Sequence, residues 1–309
     1  MITYSKLGIK GNLGNQMFQI ASTIGIAEKN GQNYCFPNWK YSKYFDYDLP
    51  ISYKNENFKT IKEAKHNYHE WDLGNGDFDI EGWLQSEKYF NCDKTKEIFK
   101  LKSELFSELY LKHDYLFAKK KILISVRRGD FVNNPYFFQL SFKYYLLAIL
   151  NNFPDWNSRN LIFTSDDIHY CKYHFSFLKN AYFLNDLSPL EQLAIGIQCD
   201  DFVISNSTFS WWIAWLGEKK DSKIIHPIKS FRGHFAAQND DSDFFPSRWI
   251  SFNDDLFKLE NKYFILKVKG NVYSLFVNLK FEYLRLKKKS KNFIKGGLVF
   301  LHLRKNIQP

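Results

Sequence analysis

The chain has 309 residues, 45% hydrophobic and 19% aromatic, with a formal net charge of +10; this is the composition of a globular protein with room for roughly two domains. The charge is uneven: residues 253–309 carry 13 Lys+Arg against 4 Asp+Glu, a net of +9, while residues 1–252 carry 30 against 29. A body this close to neutral argues against a nucleic-acid binder, which needs a basic face on its main domain.

No apolar run reaches the ~18 residues of a membrane span, and Met1–Gly11 lacks the apolar core of a signal peptide. Cys35, Cys92, Cys171 and Cys199 are scattered, without a Cys-x-x-Cys. That is the pattern of free thiols in a reducing compartment, not of a disulfide framework or a zinc site.

In chain order, Ile2–Ile9 reads as a first strand. The loop Lys10-Gly11-Asn12-Leu13-Gly14-Asn15-Gln16 follows, and Met17, Ile20, Ala21, Ile24 and Ala27 then recur at helical spacing up to a stop at Gly31. Two readings fit the glycine loop: an anion site on the free N–H groups of a helix start, or a tight turn packing helix on strand. The Gly-Lys-Ser/Thr ending of a P-loop is absent. Residues 33–80 show no sustained period. In Glu81–Phe90, aromatics interleave with Gln85, Ser86 and charged groups, which suits either a sugar site or a core.

From Lys121 the pattern becomes regular. Ile122–Val126 reads as a buried strand ending on Arg127-Arg128-Gly129-Asp130. A helix follows over Ser141–Asn152, then a strand at Asn160–Phe163 leading to Thr164-Ser165-Asp166-Asp167 and a helix to about Phe175. A strand near Ala181–Leu184 precedes Asn185-Asp186. Ser188-Pro189-Leu190-Glu191 reads as a capping box opening the next helix. Strand Asp201–Ser205 leads through Asn206-Ser207-Thr208 into a helix carrying Trp211, Trp212 and Trp215, and Lys223–His226 is a fifth strand. The alternation predicts a doubly wound parallel sheet.

The polar clusters each follow a strand, so they gather at the carboxyl edge of one sheet, where α/β folds bind nucleotides. Arg127 and Arg128 bring guanidinium forks suited to phosphate, and Ser207 and Thr208 sit at a helix N-terminus. The Asp-x-Asp triplets at Asp46, Asp77 and Asp241 follow none of the regular strands, and no metal set, nucleophile elbow or Ser-His-Asp arrangement is evident.

With those residues in view, the sequence resembles the α-1,2-fucosyltransferases of glycosyltransferase family 11 from Lys10 to about Ile250. Gly11–Phe18 is similar to the family's Gly-Gly-Leu-Gly-Asn-Gln-Met-Phe, Gly82–Phe90 to Gly-Tyr-x-Gln-Ser-x-x-Tyr-Phe, Ser125–Phe131 to His-x-Arg-Arg-Gly-Asp-Tyr, and Asn206–Trp212 to Asn-Ser-Ser-Phe-Ser-Trp-Trp. Three positions depart: Asn12 replaces a glycine, Ser125 stands where the family has histidine, and Gln192 stands where many members have aspartate. Glu191 is the neighbouring substitute for that aspartate.

The resemblance implies an α/β fold of the GT-B type, with two facing Rossmann-like domains, an acceptor side at 1–118 and a GDP-fucose side at 119–252. A basic helical tail at 253–309 lies outside it. The implied reaction is an inverting, metal-independent transfer of L-fucose from GDP-fucose to the 2-hydroxyl of a galactose in a surface glycan, in O-antigen or capsule assembly, with no cofactor. The rivals are a transferase for another GDP-sugar or linkage, and a glycan-binding module without turnover. Arg127 is the expected diphosphate ligand and Asp130 the nominee for base, with a structural role as its alternative. Arg128 either joins the phosphate or holds the loop to Asp130. Asn15 is expected to reach the donor phosphates or fucose across the cleft, and Gly82–Phe90, with Gln85, to shape the acceptor side; Gly11, Asn12 and Gly14 are expected to bind substrate. Ser125, Ser165, Asp166, Glu191, Gln192, Asn206, Ser207, Thr208 and Phe209 complete the substrate-binding set.

In the tail, Val272, Leu275, Phe276, Leu279, Tyr283 and Leu286 recur near helical spacing among Lys280, Arg285, Lys287, Lys288 and Lys289, and residues 298–301 add an apolar patch. Two readings stand: a peripheral anchor on the inner face of the cytoplasmic membrane, beside lipid-linked acceptors, or a helix that packs on the body.

Overall fold

A computed structural model describes residues 1–52, 58–266 and, within 268–287, all but Ser274, Val277, Phe281 and Arg285. The chain forms two compact units, Met1–Phe257 and Lys258–Pro309.

The first unit holds two parallel sheets. The smaller joins β1 (Ile2–Thr3), β2 (Tyr34–Cys35), β3 (Lys59–Lys62) and β4 (Phe78–Glu81) in the order β2-β1-β4-β3. β1 stops well short of the expected Ile9, because Leu7 N–H bonds Tyr4 O and Ile9 N–H bonds Lys6 O, both at 3.1 Å, and Gly8 turns at φ 84°. These amides close turns instead of extending a ladder. α1 (Leu13–Lys29) follows and ends as the sequence indicates, with Asn30 as cap and Gly31 at φ 61°. Its residues from Leu13 to Ala27 are nearly all buried, so it lies inside the body rather than on its surface. Short helices α2 (Cys92–Ile98) and α3 (Ser107–Lys112) lead to the larger sheet.

That sheet comprises β5 (Lys121–Val126), β6 (Asn160–Ser165), β7 (Ala181–Phe183), β8 (Asp201–Ile204), β9 (Ile224–Pro227) and β10 (Ile250–Phe252), ordered β10-β9-β8-β5-β6-β7 and parallel throughout. The sixth strand, β10, carries no periodic signal of its own and adds to the edge beside β9. β6 runs two residues past the expected Phe163, since Thr164 and Ser165 pair with Ser125 and Val126. Between the strands lie α4 (Phe142–Asn152), α5 (Ile168–Phe175), α6 (Pro189–Gly196), α7 (Thr208–Gly217) and α8 (Gly233–Gln238). The capping box on α6 forms, with Ser188 and Glu191 bonding each other's backbone.

Both sheets share one core, and α1 meets α7 at its centre. Phe18 packs against Trp211 and Trp212 at ring distances of 4.6 and 5.0 Å. The three indole N–H groups of α7 are satisfied: Trp211 on Phe244 O at 2.7 Å, Trp212 on Gly14 O at 2.9 Å, Trp215 on Glu87 Oε2 at 3.0 Å. Gly14 is required where the two helix starts touch, because a Cβ there would lie 2.5 Å from Phe209 N. That contact brings two positive helix ends together.

In the second unit the described residues of 264–287 are helical. Phe264, Ile265, Val268, Val272, Leu275, Phe276, Leu279, Tyr283 and Leu286 are exposed. At about 100° per residue they share roughly one third of the helix circumference. Arg285, Lys288, Lys289 and the 298–301 patch lie outside the described residues.

Candidate active site

A doubly wound sheet opens a crevice where successive crossovers run to opposite sides. In the larger sheet this happens between β5 and β8, and in the smaller between β1 and β4. A cleft of about 480 Å³ opens there, lined from the larger sheet by Ser125, Arg127, Asp130, Ser165, Asp166, Gln192, Asn206, Ser207, Thr208 and Phe209. From the smaller sheet come Asn12, Gly14, Asn15, Trp83 and Gln85. The two switch points face one another.

At the end of β5, Arg127 is held between two carboxylates. Its Nε and Nη2 donate to Asp130 Oδ1 at 3.1 and 2.5 Å, and Nη1 lies 3.0 Å from Asp166 Oδ2. Asp166 also accepts Arg128 N–H at 2.8 Å, so it locks the whole turn. Gly129 allows this approach, because any Cβ there would overlap Asp166 Oδ2. A guanidinium has five N–H donors, so two of Arg127's remain for a ligand.

At the end of β8, Asn206 Nδ2 donates to Phe138 O and Ser230 O at 3.0 and 2.7 Å, tying down the strand-to-helix turn. Ser207 is the N-cap of α7, its Oγ accepting from Phe209 N–H at 3.3 Å. The first-turn N–H groups of this ten-residue helix are suited to an anion. Ser125, at the family's histidine position, turns its hydroxyl onto Ser210 Oγ at 2.7 Å, and Ser210 meets Ser205 Oγ at 2.8 Å. Gln192 accepts from Thr164 Oγ1 and donates to Leu187 O at 2.9 Å, so both ends of its amide have protein partners.

Three of the expected binding residues do not line the cleft. Glu191 spends its carboxylate on the capping box, and those hydrogen bonds to Ser188 hold it below the usual glutamate range; it is no stand-in for a base-binding aspartate. Arg128 stacks over the Tyr170 ring at 4.2 Å. Gly11, at φ 75°, shapes the loop, and its carbonyl accepts from Gln16 Nε2 at 2.8 Å.

Across the cleft Asn15 Oδ1 accepts from Gln85 Nε2 at 2.8 Å, coupling the α1 loop to the segment after β4. Several lining residues had no sequence signal. His66 comes from the unpatterned 33–80 stretch; it packs edge-on against Phe231, and burial holds its imidazole below the ordinary range while Asp241 and Asp240 oppose that shift. Tyr41, Phe231 and Phe235 are aromatics of the same kind, recognisable only from the fold. Among the described residues no three His, Cys, Asp or Glu side chains group as a metal site.

Three curated relatives are similar to parts of the chain. The O-antigen biosynthesis glycosyltransferase WbnK of Escherichia coli is 33% identical over 119 residues, covering 36% of this chain and 39% of the relative. An Escherichia coli alpha-1,2-colitosyltransferase is 26% identical over 187 residues, covering 57% and 62%. The Mus musculus galactoside 2-alpha-L-fucosyltransferase Sec1 is 26% identical over 235 residues, covering 67% and 63%. Each match spans less than two thirds of the relative's own length. The model of glycosyl transferase family 11 matches residues 3–253, most of the chain and both sheets of the cleft, and the chain belongs to that family.

Proposed function

We propose that the chain transfers L-fucose from GDP-fucose to a glycan hydroxyl, the 2-hydroxyl of a galactose, with inversion and without a metal. The observation that carries this reading is the pairing of Arg127 at the end of β5 with the N-terminus of α7, opposite Asn15. The family match and the name of the murine relative supply the sugar.

In the proposed step the acceptor oxygen attacks the anomeric carbon from the face opposite the diphosphate. The bond to the β-phosphate oxygen breaks, and its electron pair leaves with GDP. The Nε and Nη2 groups of Arg127, released by Asp130, and the α7 amides stabilise that charge, each preorganised donor contributing about 3 kcal/mol. The acceptor proton passes to Asp130, which swings from Arg127 as the diphosphate takes its place.

The colitosyltransferase relative favours a second reading, another GDP-sugar as donor. Colitose is fucose without its 3-hydroxyl, so the two donors differ by one hydrogen-bonding group. Incubation with GDP-fucose or GDP-colitose, each with lactose and galactose-terminated glycans, with and without EDTA, tests both. EDTA-resistant fucosyl transfer supports the proposal; colitosyl transfer alone moves the donor assignment; no turnover with either leaves a binding module.

The proposed setting is the cytoplasm, in O-antigen or capsule assembly, with four free cysteines suiting a reducing compartment. The exposed apolar stripe of 264–286 borders Lys269, Lys280 and Lys287. Such a helix fits an anionic lipid surface, where each basic residue contributes about 1 kcal/mol.

A further inference from the structure

Trp83 is the tryptophan of the Gly82–Phe90 stretch, standing where the motif it resembles carries tyrosine. It follows β4 through Gly82, at the switch point of the smaller sheet, and lines the cleft as a residue 37% exposed. The core indoles of Trp211, Trp212 and Trp215 are at most 1% exposed, so Trp83 is not there to fill the interior.

Its seat is nonetheless built with care. The Glu63 carboxylate accepts Trp83 N–H at 2.7 Å and Leu84 N–H at 3.0 Å. Glu63 is itself buried enough that desolvation raises its pKa in spite of those two bonds. A Cβ on Gly82 would lie 2.6 Å from Glu63 Cβ, so glycine is needed for this approach. Leu84, fully buried, sits at φ 55°, and its carbonyl accepts from Ser22 Oγ at 2.9 Å. A left-handed leucine is backbone strain that its surroundings must hold in place. A strained residue, a desolvated carboxylate and a required glycine all serve to present one exposed indole to the cleft. Lys10 Nζ stands 4.6 Å from the ring centroid, over one face.

We propose that Trp83 is the stacking platform of an acceptor subsite, taking the apolar C–H face of a terminal galactopyranose while Gln85 meets its hydroxyls. This rests on the glycosyl-transfer reading above and assigns the acceptor's place within it. The donor diphosphate belongs to the larger sheet and the indole to the smaller, so the two substrates approach from opposite walls.

Steady-state kinetics with GDP-fucose and lactose test it through the split between the two substrates. Trp83→Ala is expected to raise the lactose KM about tenfold or more, with the GDP-fucose KM within twofold of wild type, and Trp83→Tyr to keep most of the affinity. An unchanged lactose KM, or a donor KM that rises in step, overturns the assignment. Intrinsic fluorescence reads the subsite even without turnover. Lactose is expected to perturb wild-type emission and to leave Trp83→Phe unperturbed; an equal response in both proteins, or none in either, counts against the platform.

Discussion

Replacing Arg127 by lysine separates function from stability. Arg127 places its Nε and Nη2 on Asp130 and pairs its Nη1 with Asp166, so once the diphosphate displaces Asp130 the Nε–Nη2 edge is freed as a fork for the leaving phosphate. A lysine ammonium carries its donors on one nitrogen, so it lacks that fork and offers the phosphate one donor fewer. Losing one preorganised donor to the leaving phosphate costs about 3 kcal/mol, or roughly 100-fold in kcat. The stability cost is smaller. The Arg127 and Asp130 side chains are 24% and 62% exposed, so the pair contributes about 1 kcal/mol or less, and Asp166 keeps its bond from Arg128 N–H. A body of this size then loses about 2–4 °C in Tm. The assay is initial rate against GDP-fucose concentration, with a thermal melt of the same protein. A kcat within threefold of wild type would refute the leaving-group role, and a melt lowered by more than about 10 °C would make Arg127 a structural residue.

Gly14→Ala forces a Cβ to 2.5 Å from Phe209 N, separating the α1 and α7 starts; calorimetry should record a loss of about 1–3 kcal/mol, with a higher donor KM. His226 is buried against Phe245, and burial lowers its pKa to about 4. A histidine depressed in the folded state binds its proton first when unfolded, so stability should fall as pH drops from about 6.5 towards 4, by up to about 3 kcal/mol. Urea titrations at pH 7 and 5 check this, and His226→Gln should flatten the difference. In the tail, Leu275→Asp with Leu279→Asp should abolish co-sedimentation with anionic vesicles while neutral vesicles bind neither protein; equal binding by variant and wild type would remove the lipid anchor from the account.

Much of the second half of the body was legible because strands such as β5 and β6 are short apolar runs closed by polar turns, and helices such as α4 and α6 are capped by serines, at Ser141 and Ser188. Arg127, Asn206 and Ser207 could be placed at one edge for that reason. The smaller sheet was not legible. β1 and β2 have two residues each, too few for any period, and exist because parallel neighbours pair with them. The role of Asp166 was hidden too, since only the fold brings it onto Arg127. Glu191 shows the converse: one carboxylate fitted both a cap and a base contact, and local geometry chose the cap. Glu63 lay in an unpatterned stretch, and its two bonds to the Trp83 turn come from strand register alone.

The most direct test of the central claim is a crystal structure of the chain with GDP. The account expects the β-phosphate within hydrogen-bond distance of Arg127 and of the first N–H groups of α7, with Asp130 displaced from the guanidinium. A diphosphate bound elsewhere, or seated there with Arg127 still closed on Asp130 and making no contact with it, would contradict it.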